Sequence, residues 1–261
     1  MEQITTLDGC RIAWRLEGPE DAPVLVLSNS LGTDHAMWDP QMAALTADYR
    51  VLRYDARGHG ASDAPAGAYA IDRLGADVLD LMDALGIARA HFCGLSLGGM
   101  VGQWLAHRAP QRLGRLVLAC TAAQMPPASA WQARIDGVVA QGMAPLAEAS
   151  IARWFTPGFA ARAPAAIAPI RAMLLATRPQ GYAGCCAAIR DMDQRPTARL
   201  NACPTLVIAG EADPATSVEQ ARFLATSAAE GQLAVLPAAH LANVECPDAF
   251  SQLVLDHLRG G

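Results

Sequence analysis

The feature that most constrains the fold is the regular alternation of short apolar runs with longer segments of helical periodicity. Apolar runs without polar alternation are typical of strands that are buried on both faces of a sheet. They occur at 23–28, 50–54, 90–93, 116–119, 205–209 and 233–236. Helical patterns lie between them, at 38–46, 71–85, 97–107, 218–226 and 248–258. Strands that alternate with helices favour βαβ units, so we expect an α/β fold with a mainly parallel central sheet.

The alternation is interrupted between about residues 121 and 199, a stretch without a convincing strand. Eight prolines divide this stretch into short segments of helical character. We interpret it as a helical insertion, so the predicted domains are an α/β core of residues 1–120 and 200–261 and a helical cap, or lid, of residues 121–199. We call residues 121–199 the insertion.

Charge is divided unevenly between the two predicted domains. The insertion carries eight Arg and four acidic residues, a charge of +4, whereas the remainder carries 12 Arg and 21 acidic residues, a charge of −9. A cationic lid on an acidic body indicates an anionic ligand. For any single arginine, a solvated helix face is the more common explanation.

Composition excludes several classes of function. A net charge of −5 argues against non-specific nucleic-acid binding, which requires a basic surface. All 20 basic residues are Arg, and the absence of Lys rules out a Schiff base, a Ser-Lys dyad and a Walker-type phosphate loop. Seven scattered cysteines without a C-x-x-C pair are typical of reduced thiols. We find no signal-peptide pattern or membrane span, and therefore expect a cytoplasmic protein without nucleic-acid or membrane partners, whose oligomeric state the sequence does not specify.

The most specific motif is the pentapeptide Gly94-Leu95-Ser96-Leu97-Gly98. It matches G-x-S-x-G, follows an apolar strand and precedes a helical pattern, which is the context of a nucleophile elbow. Glycines on both sides allow a sharp strained turn, and the helix N-terminus favours negative charge that develops at Ser96. The motif therefore predicts that Ser96 is a catalytic nucleophile.

A serine hydroxyl requires a general base, and the base requires an acid that orients it. Among six histidines, His240 follows the last predicted strand, at the end of the sheet where catalytic residues gather. His35 is the remaining alternative. Asp213 is the predicted acid, three residues beyond a strand-ending glycine, and Glu211 is the neighbour that competes with it. The chain order Ser96, Asp213, His240 is that of an α/β-hydrolase.

The oxyanion of an acyl-transfer reaction needs two preorganised N–H donors. One is the backbone N–H of Leu97, directly after the predicted nucleophile. We assign the other by position to Leu31, in the loop that follows the third strand. Ser30 in the same loop is a candidate for a further hydroxyl contact, although a plain polar turn explains it equally well.

Five segments together resemble the α/β-hydrolase superfamily, from one end of the chain to the other. They are Asn29-Ser30-Leu31-Gly32, 55–62, 94–99, 210–213 and 240–247. The second resembles the D-x-R-G-x-G-x-S loop of that family, which implies a structural and not a catalytic role for His59. The resemblance implies a mainly parallel sheet with helices on both faces and a helical lid insertion. Position 96 is Ser, whereas dehalogenases and epoxide hydrolases have Asp at the corresponding position. We therefore expect neither of those two activities.

Within the superfamily, the chain most resembles the 3-oxoadipate enol-lactonases. The likeness rests on residues 28–33, 37–41 and 93–100, and two departures from the common superfamily pattern are Asn29-Ser30 in place of His-Gly and Ala239 in place of Gly. The resemblance implies opening of a small anionic lactone through an acyl-enzyme on Ser96, with no metal and no cofactor. Two alternatives stay open: a carboxylesterase or C–C bond hydrolase with the same triad, and a non-catalytic small-molecule receptor.

The carboxylate of such a lactone needs a cationic partner. Trp131 and Arg134 are three residues apart in the first predicted helix of the insertion, and therefore share a face. We predict that Arg134 binds the carboxylate and that Trp131 packs on the ring. Trp154 and Phe155 are candidates for a second wall. Packing of the insertion against the core explains each aromatic residue at least as well.

Overall fold

The computed structural model describes residues 1–260, and within them eight strands form a single sheet. The strands are β1 (Glu2–Thr5), β2 (Arg11–Glu17), β3 (Val24–Ser28), β4 (Arg50–Tyr54), β5 (Ala90–Leu95), β6 (Leu113–Ala119), β7 (Thr205–Gly210) and β8 (Gly231–Leu236). Their order across the sheet is β1-β2-β4-β3-β5-β6-β7-β8. Strand β2 pairs antiparallel with β1 and β4, and all other neighbours are parallel. The predicted mainly parallel sheet is confirmed.

Helices cover both faces of this sheet, as predicted. Those of the α/β layers are α1 (Asp39–Leu45), α2 (Ile71–Ala84), α3 (Leu97–Arg108), α9 (Val218–Ser227), α10 (Ala242–Glu245) and α11 (Pro247–Arg259). The crossover through α1 runs towards β1, whereas those through α2, α3 and α9 run towards β8. Because such crossovers are right-handed, α1 lies on one face and α2, α3 and α9 on the other. Helix α11 packs against α1, and no helix among residues 1–260 is long and apolar enough to cross a membrane.

The direction of the crossovers reverses between β3 and β5, which are neighbours in the sheet. Loops that leave the carboxyl ends of two such strands diverge to opposite faces and open a crevice between them, where ligands of open α/β sheets bind. The loop after β3 contains Ser30 and Leu31, and the turn after β5 contains Ser96. The topology therefore brings these residues to the same edge of the sheet.

A buried ion pair ties the loop after β4 to α2. Arg57 donates from Nε and from one terminal nitrogen to the two carboxylate oxygens of Asp77, each at 2.6 Å. Both side chains are almost fully buried, and Arg57 also contacts Asp8 in the turn between β1 and β2. The pair therefore joins three segments that are distant in the sequence.

Five helices form the insertion within the described chain. They are α4 (Ala128–Gln141), α5 (Ala144–Trp154), α6 (Pro157–Arg162), α7 (Pro164–Ala176) and α8 (Pro179–Asp191). An isolated antiparallel bridge between Gln124 and Asp193 joins the two ends of the segment. Helix α8 approaches the core so closely that a Cβ on Gly181 would lie 2.3 Å from the Cα of Gly58. The division of the chain into a core domain and a lid domain stays a prediction.

Candidate active site

Ser96 occupies a strained turn between β5 and α3. Its backbone angles are φ 56° and ψ −113°, in a region that residues with a side chain rarely adopt. The turn needs glycine on both sides because a Cβ on Gly94 would lie 2.2 Å from the carbonyl oxygen of Gly98, and a Cβ on Gly98 would lie 2.1 Å from that of Ser28. The G-x-S-x-G pattern therefore allows α3 to begin directly against β3 and β5.

Three predicted site residues form one hydrogen-bonded chain. The Oγ atom of Ser96 lies 2.9 Å from Nε2 of His240, and Nδ1 of His240 lies 2.8 Å from Oδ2 of Asp213. All three side chains are buried. With the Nδ1 proton donated to the carboxylate, Nε2 is left to accept a proton from the serine hydroxyl.

Asp213 is held as an ionised acceptor. Its carboxylate also accepts hydrogen bonds from the hydroxyl of Thr216 at 2.5 Å and from the N–H of Ala215 at 2.8 Å. Burial by itself raises the pKa of Asp213, but the adjacent His240 and these donors outweigh burial and hold the pKa below its ordinary value. The acid is therefore charged at neutral pH and fixes the orientation of the imidazole.

The alternatives that the sequence left open lie elsewhere. The Nδ1 atom of His35 is 2.9 Å from the carboxylate of Asp55, which also accepts the backbone N–H of His35. Glu211 is exposed. The structure therefore brings His240 and Asp213 to Ser96, and neither His35 nor Glu211.

The two predicted oxyanion donors are unpaired. Neither the N–H of Leu31 nor that of Leu97 donates a hydrogen bond to another group within residues 1–260. Both residues are buried, and a buried N–H without an acceptor is costly unless a ligand supplies one. Ser30 and Leu31 line the same cavity as Ser96.

His59 supports the loop that contains Leu31. Its Nε2 atom accepts the N–H of Gly32 at 2.9 Å, and its Nδ1 atom lies 3.3 Å from the carbonyl oxygen of Arg57. Burial lowers the pKa of His59 from 6.5 to about 4, so the imidazole is neutral at pH 7. The residue is thus built into the loop, in line with the structural role that the resemblance implies.

A cavity of about 200 Å³ lies over Ser96, between the sheet and the insertion. Residues of the core form one side of it: Ser30, Leu31, Ser96, Met100, Ala215 and His240. Residues at the start of the insertion and on α4, α5 and α8 form the other: Met125, Pro126, Ala130, Trp131, Arg134, Arg153, Trp154, Tyr182 and Ile189. The volume suits a small ring with a short side chain.

Two arginines face this cavity without an acidic partner among residues 1–260. The guanidinium of Arg134 lies 4.9 Å from the ring centre of Trp131 and contacts the hydroxyl of Tyr182. Arg153 donates to the hydroxyl of Ser150 at 3.2 Å. Burial and the nearby Arg134 lower the pKa of Arg153 from its ordinary value. Two cations that no protein carboxylate neutralises favour an anionic ligand.

The aromatic residues proposed as cavity walls lie in two different places. Trp131, whose indole N–H donates to the carbonyl oxygen of Met125 at 2.8 Å, and Trp154 both line the cavity. Phe155 does not, because the chain turns to an extended conformation at the end of α5 and stacks this ring on Phe159, with centroids 5.5 Å apart. Arg153 is a charged residue of the cavity that sequence reasoning did not single out, although it directly precedes Trp154 in the cationic insertion.

Comparison with known proteins gives consistent matches. A family model described as the alpha/beta hydrolase fold matches residues 23–247. The 3-oxoadipate enol-lactonase 2 of Acinetobacter baylyi is 46% identical over 237 residues, which are 91% of this chain and 89% of that protein. The crystal structure of the enol-lactonase from Burkholderia xenovorans LB400 has a TM-score of 0.97 and 44% identity, and the match covers 99% of this chain and 100% of that one. A hydrolase from Pseudomonas aeruginosa PA01 has a TM-score of 0.97 and 50% identity, with 100% and 98% covered.

Proposed function

This chain belongs to the α/β-hydrolase family, and we propose that it is a serine hydrolase that opens the ring of 3-oxoadipate enol-lactone to give 3-oxoadipate, in the β-ketoadipate pathway of aromatic compound catabolism. The observation that carries the proposal is the hydrogen-bonded chain of Ser96, His240 and Asp213 under a cavity with two arginines that lack acidic partners. The names of the relatives support the choice of lactone.

In the first step, the Oγ atom of Ser96 attacks the lactone carbonyl carbon. His240 takes the hydroxyl proton at Nε2, and the resulting imidazolium is stabilised by the carboxylate of Asp213. The carbonyl oxygen gains negative charge and accepts hydrogen bonds from the N–H groups of Leu31 and Leu97. Ser96 already lies at the helix N-terminus, so the charge develops near a positive dipole end.

In the second step, the bond between the acyl carbon and the ring oxygen breaks. The electron pair stays on that oxygen, which receives the proton from His240 and leaves as an enol. An enolate is a weaker base than an alkoxide, so this leaving group departs readily, and the enol then tautomerises to the ketone. A water molecule activated by His240 releases the acyl group from Ser96 as a carboxylate. Each step uses groups of this chain and water, so the proposal includes no metal and no cofactor.

The insertion supplies the binding contacts in this proposal. Arg134 and Arg153 bind the carboxylate of the substrate by charge-assisted hydrogen bonds, and Trp131 and Trp154 pack on the ring. Because the carboxylate is bound at one end, the lactone carbonyl at the other end is directed towards Ser96. The insertion thus acts as a lid over the reacting bond.

The cysteines support a cytoplasmic location in the proposal. All seven are free thiols, and Cys246 alone is more than slightly exposed. Oxidising compartments favour disulfides, whereas reducing ones leave thiols free.

Steady-state hydrolysis of the enol-lactone beside the neutral ester p-nitrophenyl acetate tests the proposal. We expect a kcat/KM for the lactone of roughly 10⁶ M⁻¹s⁻¹ or more, weak ester turnover, and loss of both activities in Ser96→Ala. Ser251→Ala is the matched control, because it removes another mostly buried serine hydroxyl, which is bonded to the carbonyl oxygen of Pro247 on α11. Fast turnover of the ester with feeble turnover of the lactone would leave Ser96 as the nucleophile but contradict the proposed substrate.

A further inference from the structure

Glu245 is a buried carboxylate that forms no ion pair within residues 1–260. It lies at the end of α10, and hydrogen-bond donors surround it instead of cations. Its Oε2 atom accepts the N–H of Ala239 at 3.0 Å and the N–H of Thr156 at 3.2 Å. Its Oε1 atom accepts the hydroxyl of Thr156. One side chain thus joins the segments of Ala239 and Thr156, which are distant in the sequence.

Both segments belong to the candidate active site. Ala239 directly precedes His240, and Thr156 caps the N-terminus of α6, two residues after Trp154, which ends α5 and lines the cavity. A further hydrogen bond runs from the N–H of Leu241 to the carbonyl oxygen of Trp154 at 3.0 Å. The residues on either side of His240 are therefore both tied to the cavity wall, one directly and one through Glu245.

A carboxylate satisfies these three donors together. Two backbone N–H groups and one hydroxyl converge on it, and a carboxylate accepts from all three. Burial of a charge without a cation is unfavourable, so simple packing of α10 does not explain an acidic residue at this position. The contacts explain it, because they hold two separate segments in one arrangement.

We propose that Glu245 is a positioning residue that fixes the His240 loop (238–241) to the wall of the cavity at the junction of α5 and α6. It keeps Nε2 of His240 within reach of Ser96 and keeps Trp154 over the bound ring. A displacement of about 1 Å at a catalytic group lowers rates on the order of 100-fold, so the tie acts on turnover more than on binding. The inference rests on the proposed function for the identity of the substrate, but the effect of Glu245 on the reactivity of Ser96 does not depend on that substrate.

The test compares Glu245→Met, which keeps the length of the side chain but removes both acceptor oxygens, with wild type by three measurements on the whole protein. They are kcat and KM for the enol-lactone, the thermal midpoint, and the labelling rate of Ser96 by a fluorophosphonate, a probe that reports the activated serine whatever the natural substrate is. We expect kcat and the labelling rate to fall on the order of 100-fold at a temperature well below the midpoint, with KM changed only about threefold.

A second variant and a matched control separate positioning from folding. Thr156→Val leaves the carboxylate but removes the hydroxyl, which also caps α6 by accepting the N–H of Phe159, and we expect a smaller loss of labelling. In Glu245→Met/Thr156→Val the loss should be smaller than the product of the two single losses, because both changes break the same tie. Thr177→Val is the control, because it removes a buried threonine hydroxyl that donates to Met173 within the insertion at 2.9 Å. It lowers the midpoint without slowing labelling.

Two results would overturn the inference. One is a folded Glu245→Met protein that labels and turns over at wild-type rates. The other is a Thr156→Val protein that is indistinguishable from Thr177→Val, which decides the matter even when Glu245→Met fails to fold. Fast labelling of the wild type without lactone turnover would contradict the proposed substrate, while the labelling comparison would still test Glu245.

Discussion

The Nε2 atom of His59 accepts a hydrogen bond from the backbone N–H of Gly32 at 2.9 Å. This contact requires the ring proton to be on Nδ1, which faces the carbonyl oxygen of Arg57. Gly32 directly follows Leu31, so a neutral imidazole holds the loop of one proposed oxyanion donor. Protonation would turn an N–H of the ring towards the N–H of Gly32 and break the contact.

We expect His59 to make the stability of the protein depend on pH between about 6.5 and 4. Burial lowers its pKa from 6.5 to about 4, so in this window the unfolded chain binds a proton that the folded chain does not. The free energy of unfolding therefore falls as the pH falls, by up to about 3 kcal/mol from this residue. Urea unfolding of the wild type and of His59→Gln, which keeps an acceptor without titrating, measures the difference.

Other groups change the pH profile of both proteins equally. Burial also lowers the pKa values of His91 and His257, and both remain in the variant. Only the difference between the two proteins reports His59. An identical slope of unfolding free energy against pH in His59→Gln and wild type would contradict the prediction.

The ion pair of Arg57 and Asp77 is expected to be essential for stability. Asp77→Asn leaves the Arg57 guanidinium buried without its bidentate partner, which typically costs about 3–5 kcal/mol. Denaturant unfolding measures the loss. Asp193→Asn breaks the pair with Arg195 at the surface, where we expect less than about 1 kcal/mol. Equal losses of unfolding free energy in the two variants would show that burial does not determine how strongly these ion pairs stabilise the protein.

Two helical glycines, Gly98 in α3 and Gly137 in α4, are expected to respond in opposite ways to substitution by alanine. In Gly98→Ala the new Cβ would meet the carbonyl oxygen of Ser28 at 2.1 Å, so α3 has to move away from β3 and turnover is lost. In Gly137→Ala on α4 the Cβ meets nothing within 4 Å, and we expect stabilisation of about 0.5–1 kcal/mol with unchanged turnover. Thermal midpoints and turnover of both variants check this, and an active Gly98→Ala protein would refute it.

Arg153 is expected to select anionic substrates. In Arg153→Met, kcat/KM for the anionic lactone should fall about 10- to 100-fold because a charge-assisted contact is lost. Turnover of p-nitrophenyl acetate should change little. Arg171→Met is the control, because this arginine of α7 pairs with Glu148 and does not line the cavity. Equal losses for the charged and the neutral substrate would instead assign Arg153 to packing of the insertion.

The strands and helices that could be predicted from the sequence are those in which burial in the sheet layers produces a regular pattern of apolar residues. Strand β7 is buried at every position, and its apolar run marked its bounds within one residue. Helix α4, by contrast, buries only Val138, so no stripe marks its ends. Helix α10 spans Ala242–Glu245, which is too short for helical periodicity to be visible. Periodicity therefore located the elements of the sheet layers better than those of the insertion.

The candidate site likewise contains residues that could be predicted from the sequence and residues that could not. Ser96 follows β5 directly, and Asp213 and His240 lie in the loops just after β7 and β8, so a local motif and the edge rule for parallel sheets were enough to select them. Glu245 and Arg153 matter through partners that are remote in the sequence or on another helix. Adjacent residues on a helix point about 100° apart, so Trp154 gave no indication that Arg153 also reaches the cavity.

The bridge between Gln124 and Asp193 has a consequence for how this fold can be altered. The N–H of Gln194 also donates to the carbonyl oxygen of Ala123 at 2.8 Å, so the chain returns beside the point where it left the core. Paired residues of antiparallel strands have Cα atoms only about 4.5–5.5 Å apart, a gap that a short turn closes. The sheet therefore places almost no constraint on the length of the segment between Gln124 and Asp193. This segment could be replaced by one with more or fewer helices without moving Ser96, Asp213 and His240.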